Sequence, residues 1–102
     1  MSAKFRTPQP PSQGASLRDV LAYWVCLHRV EKGWSQERLA LESELDRTYV
    51  SAVERSRWNV SLQNIERLAA ALEVEAWTLL YPPGGGTEHK HGFPSGADDI
   101  DI

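Results

Sequence analysis

Arg47, Thr48, Tyr49 and Ser51 place four hydrogen-bonding side chains within five positions, with Val50 among them and Val53 just beyond. On a helix the two valines turn inward, and the guanidinium, hydroxyl and phenol groups face out. Such a face recognises by hydrogen bonds and charge. It holds no nucleophile with its base and no set of metal ligands. Elsewhere the groups capable of bond-making chemistry are scattered. Cys26 is the one cysteine and lacks an assembled histidine and acid in the sequence around it. It reads as a small buried hydrophobe, with a reactive thiol as the other reading. His28 falls in a helical pattern, packed or half-exposed. His89 and His91 flank Lys90 in a polar segment without further ligands at zinc spacing, so no metal site is expected. Gly84-Gly85-Gly86 follows a proline pair and does not link a strand to a helix, as a phosphate-binding loop would. No enzyme and no cofactor are expected.

Five short helices must position the polar face. Ser16 caps the first, with Asp19 three residues on as in a capping box. Leu17, Leu21, Trp24, Val25 and His28 then recur on one side at helical spacing. Gly33 ends this helix, having no Cβ to penalise a left-handed cap. Ser35 caps a second helix, Gln36 to Ser43, which turns Leu39 and Ala40 inward. Asp46 caps a third, Arg47 to about Arg55. Ser61 caps a fourth, Leu62 to Leu72, whose apolar stripe is Leu62, Ile65, Leu68, Ala69 and Leu72. A fifth, about Glu75 to Leu80, stops at Pro82. With no convincing strand the fold class is all-α. Trp24 and Trp34 supply apolar area to its core.

The chain of 102 residues suffices for one domain. Residues 1–15, with Pro8, Pro10, Pro11, Ser12 and Gly14, read as a flexible N-terminal arm. Residues 16–81 form the folded domain. Residues 82–102 open on Pro82-Pro83 and close acidic, which reads as a disordered tail. The net charge is −3: the arm carries Lys4 and Arg6, the folded part eight Arg/Lys against ten Asp/Glu, and the tail Lys90 against four acids. Any contact with nucleic acid must therefore use cations gathered on one face. No apolar run approaches the ~20 residues of a membrane span, and the N-terminus lacks the apolar core of a secretory signal. A single cysteine suits a reducing cytosol. A cytoplasmic location away from membranes is the expectation.

Glu44-Leu45-Asp46 joins the second and third helices in three residues, the connection length of a helix-turn-helix. In that unit the second helix fits the major groove and the first crosses the backbone behind it. The run Lys32-Gly33-Trp34-Ser35-Gln36-Glu37-Arg38-Leu39-Ala40, followed by Leu45-Asp46-Arg47-Thr48-Tyr49-Val50-Ser51-Ala52-Val53-Glu54-Arg55, resembles the phage repressor/Cro-like (Xre) helix-turn-helix family. Within it the likeness is to controller proteins of restriction–modification systems, which carry a similar Leu-Asp-Arg-Thr-Tyr-hydrophobic-Ser stretch. Asn59-Val60-Ser61-Leu62 and Leu68-Ala69-Ala70-Ala71-Leu72-Glu73-Val74 continue the resemblance, which covers residues 16–81.

That resemblance implies a compact five-helix, lambda-repressor-like DNA-binding domain and a role for each matching residue. Arg47, Thr48, Tyr49 and Ser51 stand where the family reads base edges, Tyr49 and Ser51 also touching sugar-phosphate; an arginine there can bind guanine O6 and N7 together. Gln36 would hold a DNA phosphate through its amide and the helix N-terminus. Arg55 and Arg57 would be further phosphate partners. Arg29 and Glu54 match a structural salt bridge between the first and third helices. The departures are Glu44, Ser56 and Glu73, where the family usually has glycine, and Val60, where it often has proline. Glu44 must take a turn position where non-glycine residues with positive φ are uncommon. It also puts a negative charge near the DNA-facing side.

The implied function is a bacterial-type transcriptional regulator that binds double-stranded DNA at a near-palindromic operator as a homodimer. The third helix of each protomer would enter the major groove, and no domain is present for a small-molecule effector. Dimerisation is expected because one short helix reads too few bases to specify a site. Trp77, Leu80 and Tyr81 are the candidate dimer interface, with packing of Trp77 on the first helix as the alternative. Lys4 and Arg6 form either a basic arm reaching DNA or a plain leader. A second functional reading keeps the fold and gives up tight DNA binding: a protein-interaction module, or an antitoxin-like partner-binding protein. Its grounds are the acidic core, Glu44 and Trp77.

Overall fold

The computed structural model describes residues 5–83. The expectations for Lys4, for His89 and His91, and for the tail beyond Pro83 fall outside them. Four α-helices follow in order: α1 (Leu17–Glu31), α2 (Gln36–Ser43), α3 (Arg47–Glu54) and α4 (Leu62–Leu72). The described residues contain no strand. The fifth expected helix is a 3-10 helix, Ala76–Leu80. Its ends explain the tighter winding: Glu75 O accepts from both the Thr78 backbone N–H (3.0 Å) and the Thr78 hydroxyl (2.6 Å), and Pro82 brings no N–H to continue it.

One apolar core joins these elements. Leu21 and Val25 of α1, Leu39 and Ala40 of α2, Val50 and Val53 of α3, Ile65, Leu68, Ala69 and Leu72 of α4, and Leu79 of the 3-10 helix are all buried in it. The two expected stripes lose their first members: Leu17 and Leu62 are 60% and 74% exposed. Each is the first residue of its helix. Trp24 and Trp34 lie half-buried against the core. The indole N–H of Trp24 donates to Tyr81 O at 2.7 Å and so ties the end of the domain to α1.

The helix starts follow their serines. The Ser16, Ser35 and Ser61 hydroxyls accept from the N–H groups of Asp19, Arg38 and Asn64 at 3.1, 3.0 and 3.1 Å. Asp46 stands at the cap position of α3 but makes no side-chain cap bond. The capping box at Ser16 is likewise incomplete, because the Asp19 carboxylate accepts from the Ser56 hydroxyl instead.

The four α-helices end alike. After α1, Gly33 (φ +74) donates to Val30 O and Trp34 to Arg29 O. After α2, Glu44 donates to Leu41 O and Leu45 to Ala40 O; after α3, Ser56 to Val53 O and Arg57 to Ala52 O; after α4, Glu73 to Ala70 O and Val74 to Ala69 O. Each is a paired closure around one left-handed residue. Glu44 (φ 61), Ser56 (φ 57) and Glu73 (φ 64) hold that conformation without being glycine. Two gain a partner there: Ser56 reaches Asp19, and Glu73 pairs with Lys32 at 3.3 Å.

Residues 5–15 contain no helix. Phe5 sets its ring 5.3 Å from the Arg29 guanidinium, and Pro8, Gln9 and Pro11 line a recess with Cys26, Gln36 and Arg55. No helix of the described residues is long and apolar enough to cross a membrane.

Candidate nucleic-acid interface

The α2–turn–α3 unit is fixed from behind by a buried ion pair. Arg29 of α1 donates to Glu54 of α3 twice, Nε to Oε2 at 2.7 Å and Nη2 to Oε1 at 2.9 Å, with side chains only 8% and 6% exposed. Its third nitrogen, Nη1, donates to Trp34 O at 2.8 Å in the loop before α2. Gln36 opens α2 and donates from Nε2 to Glu54 Oε1 at 3.0 Å. One carboxylate thus joins α1, α2 and α3, in the bidentate geometry that gives arginine–carboxylate pairs their strength. Burial opposes the Arg29 charge, but hydrogen bonding and charge from Glu54 prevail and hold the guanidinium above its usual pKa. Burial, reinforced by the Glu54 charge, pushes the neighbouring Cys26 thiol up, which keeps it protonated.

Gln36, the residue expected at a DNA phosphate, gives one of the two N–H donors of its amide to Glu54. An anion at the start of α2 would meet the backbone N–H groups of Gln36 and Glu37, since that of Arg38 already serves Ser35.

On the outer side of α3, Arg47 and Thr48 are exposed and Ser51 half-buried. They line a recess of about 310 Å³ together with Arg55, Arg57 and Trp58. Three guanidiniums border it, and among the described residues no carboxylate does. In a chain of net charge −3 this is the gathering of cations that the overall balance hides. Arg47 also borders a second recess, of about 300 Å³, with Ser35, Gln36 and Glu37 at the start of α2. Tyr49 stands apart from the other three: its ring is half-buried against the core, with its centroid 5.6 Å from that of Trp58. Trp58 was missed from the sequence. The available signal was an aromatic one residue beyond Arg55-Ser56-Arg57.

The candidate association residues divide. Trp77 is 64% exposed and meets Tyr81 edge-on at 6.2 Å. These two border a largely apolar recess of about 590 Å³ with Trp24, His28, Val74 and Thr78. His28 stacks on Trp24 at 5.6 Å. Leu80 instead packs against the core.

Comparison with known proteins gives this geometry a context. Residues 28–76 match the helix-turn-helix family. Over 83 residues the chain is 58% identical to a Neisseria hypothetical transcription factor from Neisseria meningitidis serogroup B, covering 81% of this chain and 78% of that protein. The crystal structure of a hypothetical transcription factor, NHTF, from Neisseria superposes with a TM-score of 0.72 at 53% identity, covering 82% of this chain and 99% of that one. The restriction-modification controller protein C.Esp1396I, as a tetramer in complex with its natural 35 base-pair operator, superposes with a TM-score of 0.59 at 35% identity, covering 64% of this chain and 86% of that one.

Proposed function

Because the chain belongs to the Xre-type helix-turn-helix family, we propose that it is a sequence-specific DNA-binding transcriptional regulator, docking α3 in the major groove of a near-palindromic operator. The observation that carries this reading is the carboxylate-free recess of Arg47, Thr48, Ser51, Arg55 and Arg57 on the outer side of α3. Arg47 reads guanine from the first turn of that helix. Thr48 and Ser51 add hydroxyl contacts, and Tyr49 contributes its edge from a ring anchored in the core. Arg55 and Arg57, beyond the helix end, hold phosphates and fix the register. A further phosphate sits at the start of α2, on backbone N–H groups and the helix dipole, with Gln36 fixing that turn through Glu54.

The regulator acts as a homodimer joined through Trp77 and Tyr81, with Leu80 supporting them from the core side. A dimer doubles the base pairs read and spaces two α3 helices about one turn of DNA apart. The folded domain is the five-element unit of residues 16–81, preceded by an arm and followed by an acidic tail.

The test is a salt series with a duplex carrying the site that the protein selects from a pool of random duplexes. Two arginines on phosphates in each protomer predict log Kd rising with log salt at a slope of roughly 3.6. A slope near zero would turn the reading toward a protein-interaction module.

A further inference from the structure

Among the described residues Trp58 is the one large aromatic on the cation-bearing recess, and it is 46% exposed. Its exposure does not come from a slack loop. Ser56 holds the left-handed turn at φ 57, the Arg57 backbone N–H donates to Ala52 O at 3.0 Å, and Arg18 Nη1 donates to Asn59 Oδ1 at 3.2 Å. Between those ties the indole rests on Tyr49, planes tilted by 52°. A flat apolar surface is thus held in water in a fixed place, which is unfavourable unless something covers it. Arg55 and Arg57 precede it in the chain, and among the described residues no acid borders the recess, so the matching cover is polyanionic with apolar surface between its charges. In duplex DNA the deoxyribose rings between successive phosphates have that chemistry, whereas the base faces are stacked away.

Resting on the DNA-binding reading above, we propose that Trp58 is a DNA contact whose indole packs on the deoxyribose of the strand whose phosphates Arg55 and Arg57 hold. The contact is apolar and indifferent to sequence. It adds affinity at operator and non-operator duplexes alike and releases no counterion.

Wild type, W58A, W58F and R57A are titrated with the selected duplex and a scrambled one across a salt series. W58A should weaken binding to both duplexes by about tenfold with the salt slope unchanged. W58F should regain most of the loss, and R57A should lower the slope by about one phosphate per protomer. Added duplex should also quench tryptophan emission more in wild type than in W58F, a readout that needs no truncated side chain. Binding of W58A within twofold of wild type, a lowered slope in W58A, or equal quenching in wild type and W58F would each overturn the contact while leaving the regulator intact. A wild type that binds no duplex at low salt would overturn the DNA-binding reading and this proposal together.

Discussion

Glu44 carries two costs at one position. Its backbone sits at φ 61, where a Cβ is unfavourable, and unlike Ser56 and Glu73 its side chain gains no hydrogen bond among the described residues in return. It also places a carboxylate in the turn between the two helices that approach DNA. Glu44→Gly should therefore stabilise the domain by about 1 kcal/mol in urea denaturation. Ser56→Gly should gain less, because it gives up the hydroxyl bond to Asp19. Equal gains at both positions would show that the side-chain partners contribute nothing. The three left-handed positions were visible in the sequence as departures from a glycine pattern. Their partners were not, since Asp19 lies 37 residues from Ser56 and Lys32 lies 41 from Glu73.

Among the elements, the decisive joint is the one carboxylate shared by three helices. Glu54→Gln would leave Arg29 buried beside a neutral amide and weaken the Gln36 bond at the same time. Breaking such a pair costs about 3–5 kcal/mol, a large part of the stability of a small domain. Chemical denaturation followed by circular dichroism should show that loss, and a change below about 1 kcal/mol would mean the pair is not holding the unit. Helix starts, helix ends and the inward valines were legible, because caps and apolar spacing are local signals. The side-chain commitments were less so. Gln36 is drawn to Glu54 by a contact 18 residues away in sequence. Tyr49 and Trp58 meet only because Ser56 turns the chain back after α3. The 3-10 winding at Ala76–Leu80 escaped for a related reason: five residues are too few to set a period, so Trp77 and Leu80 could not be told apart.

At the scale of the whole molecule, a chain of net charge −3 binds a polyanion only by segregating its charge. The α3 recess does this, and the apolar recess under Trp77 and Tyr81 is lined by none of the same residues. The two surfaces should therefore separate by mutation. Trp77→Ala should shift the protein toward monomer in sedimentation equilibrium and weaken operator binding, yet leave the fold and the base preference of each half-site as they are. A variant that stays dimeric would place the association surface elsewhere.

The most direct test of α3 as the reading helix is selection from a pool of random DNA duplexes, with Arg47→Ala alongside the wild type. The wild type should enrich a two-fold symmetric site. Arg47→Ala should bind it more weakly, by about 1–3 kcal/mol per half-site, and lose its preference for guanine at one position in each half. Enrichment of the same site with the same preference by both proteins would contradict the account, because the first exposed side chain of α3 would then read nothing.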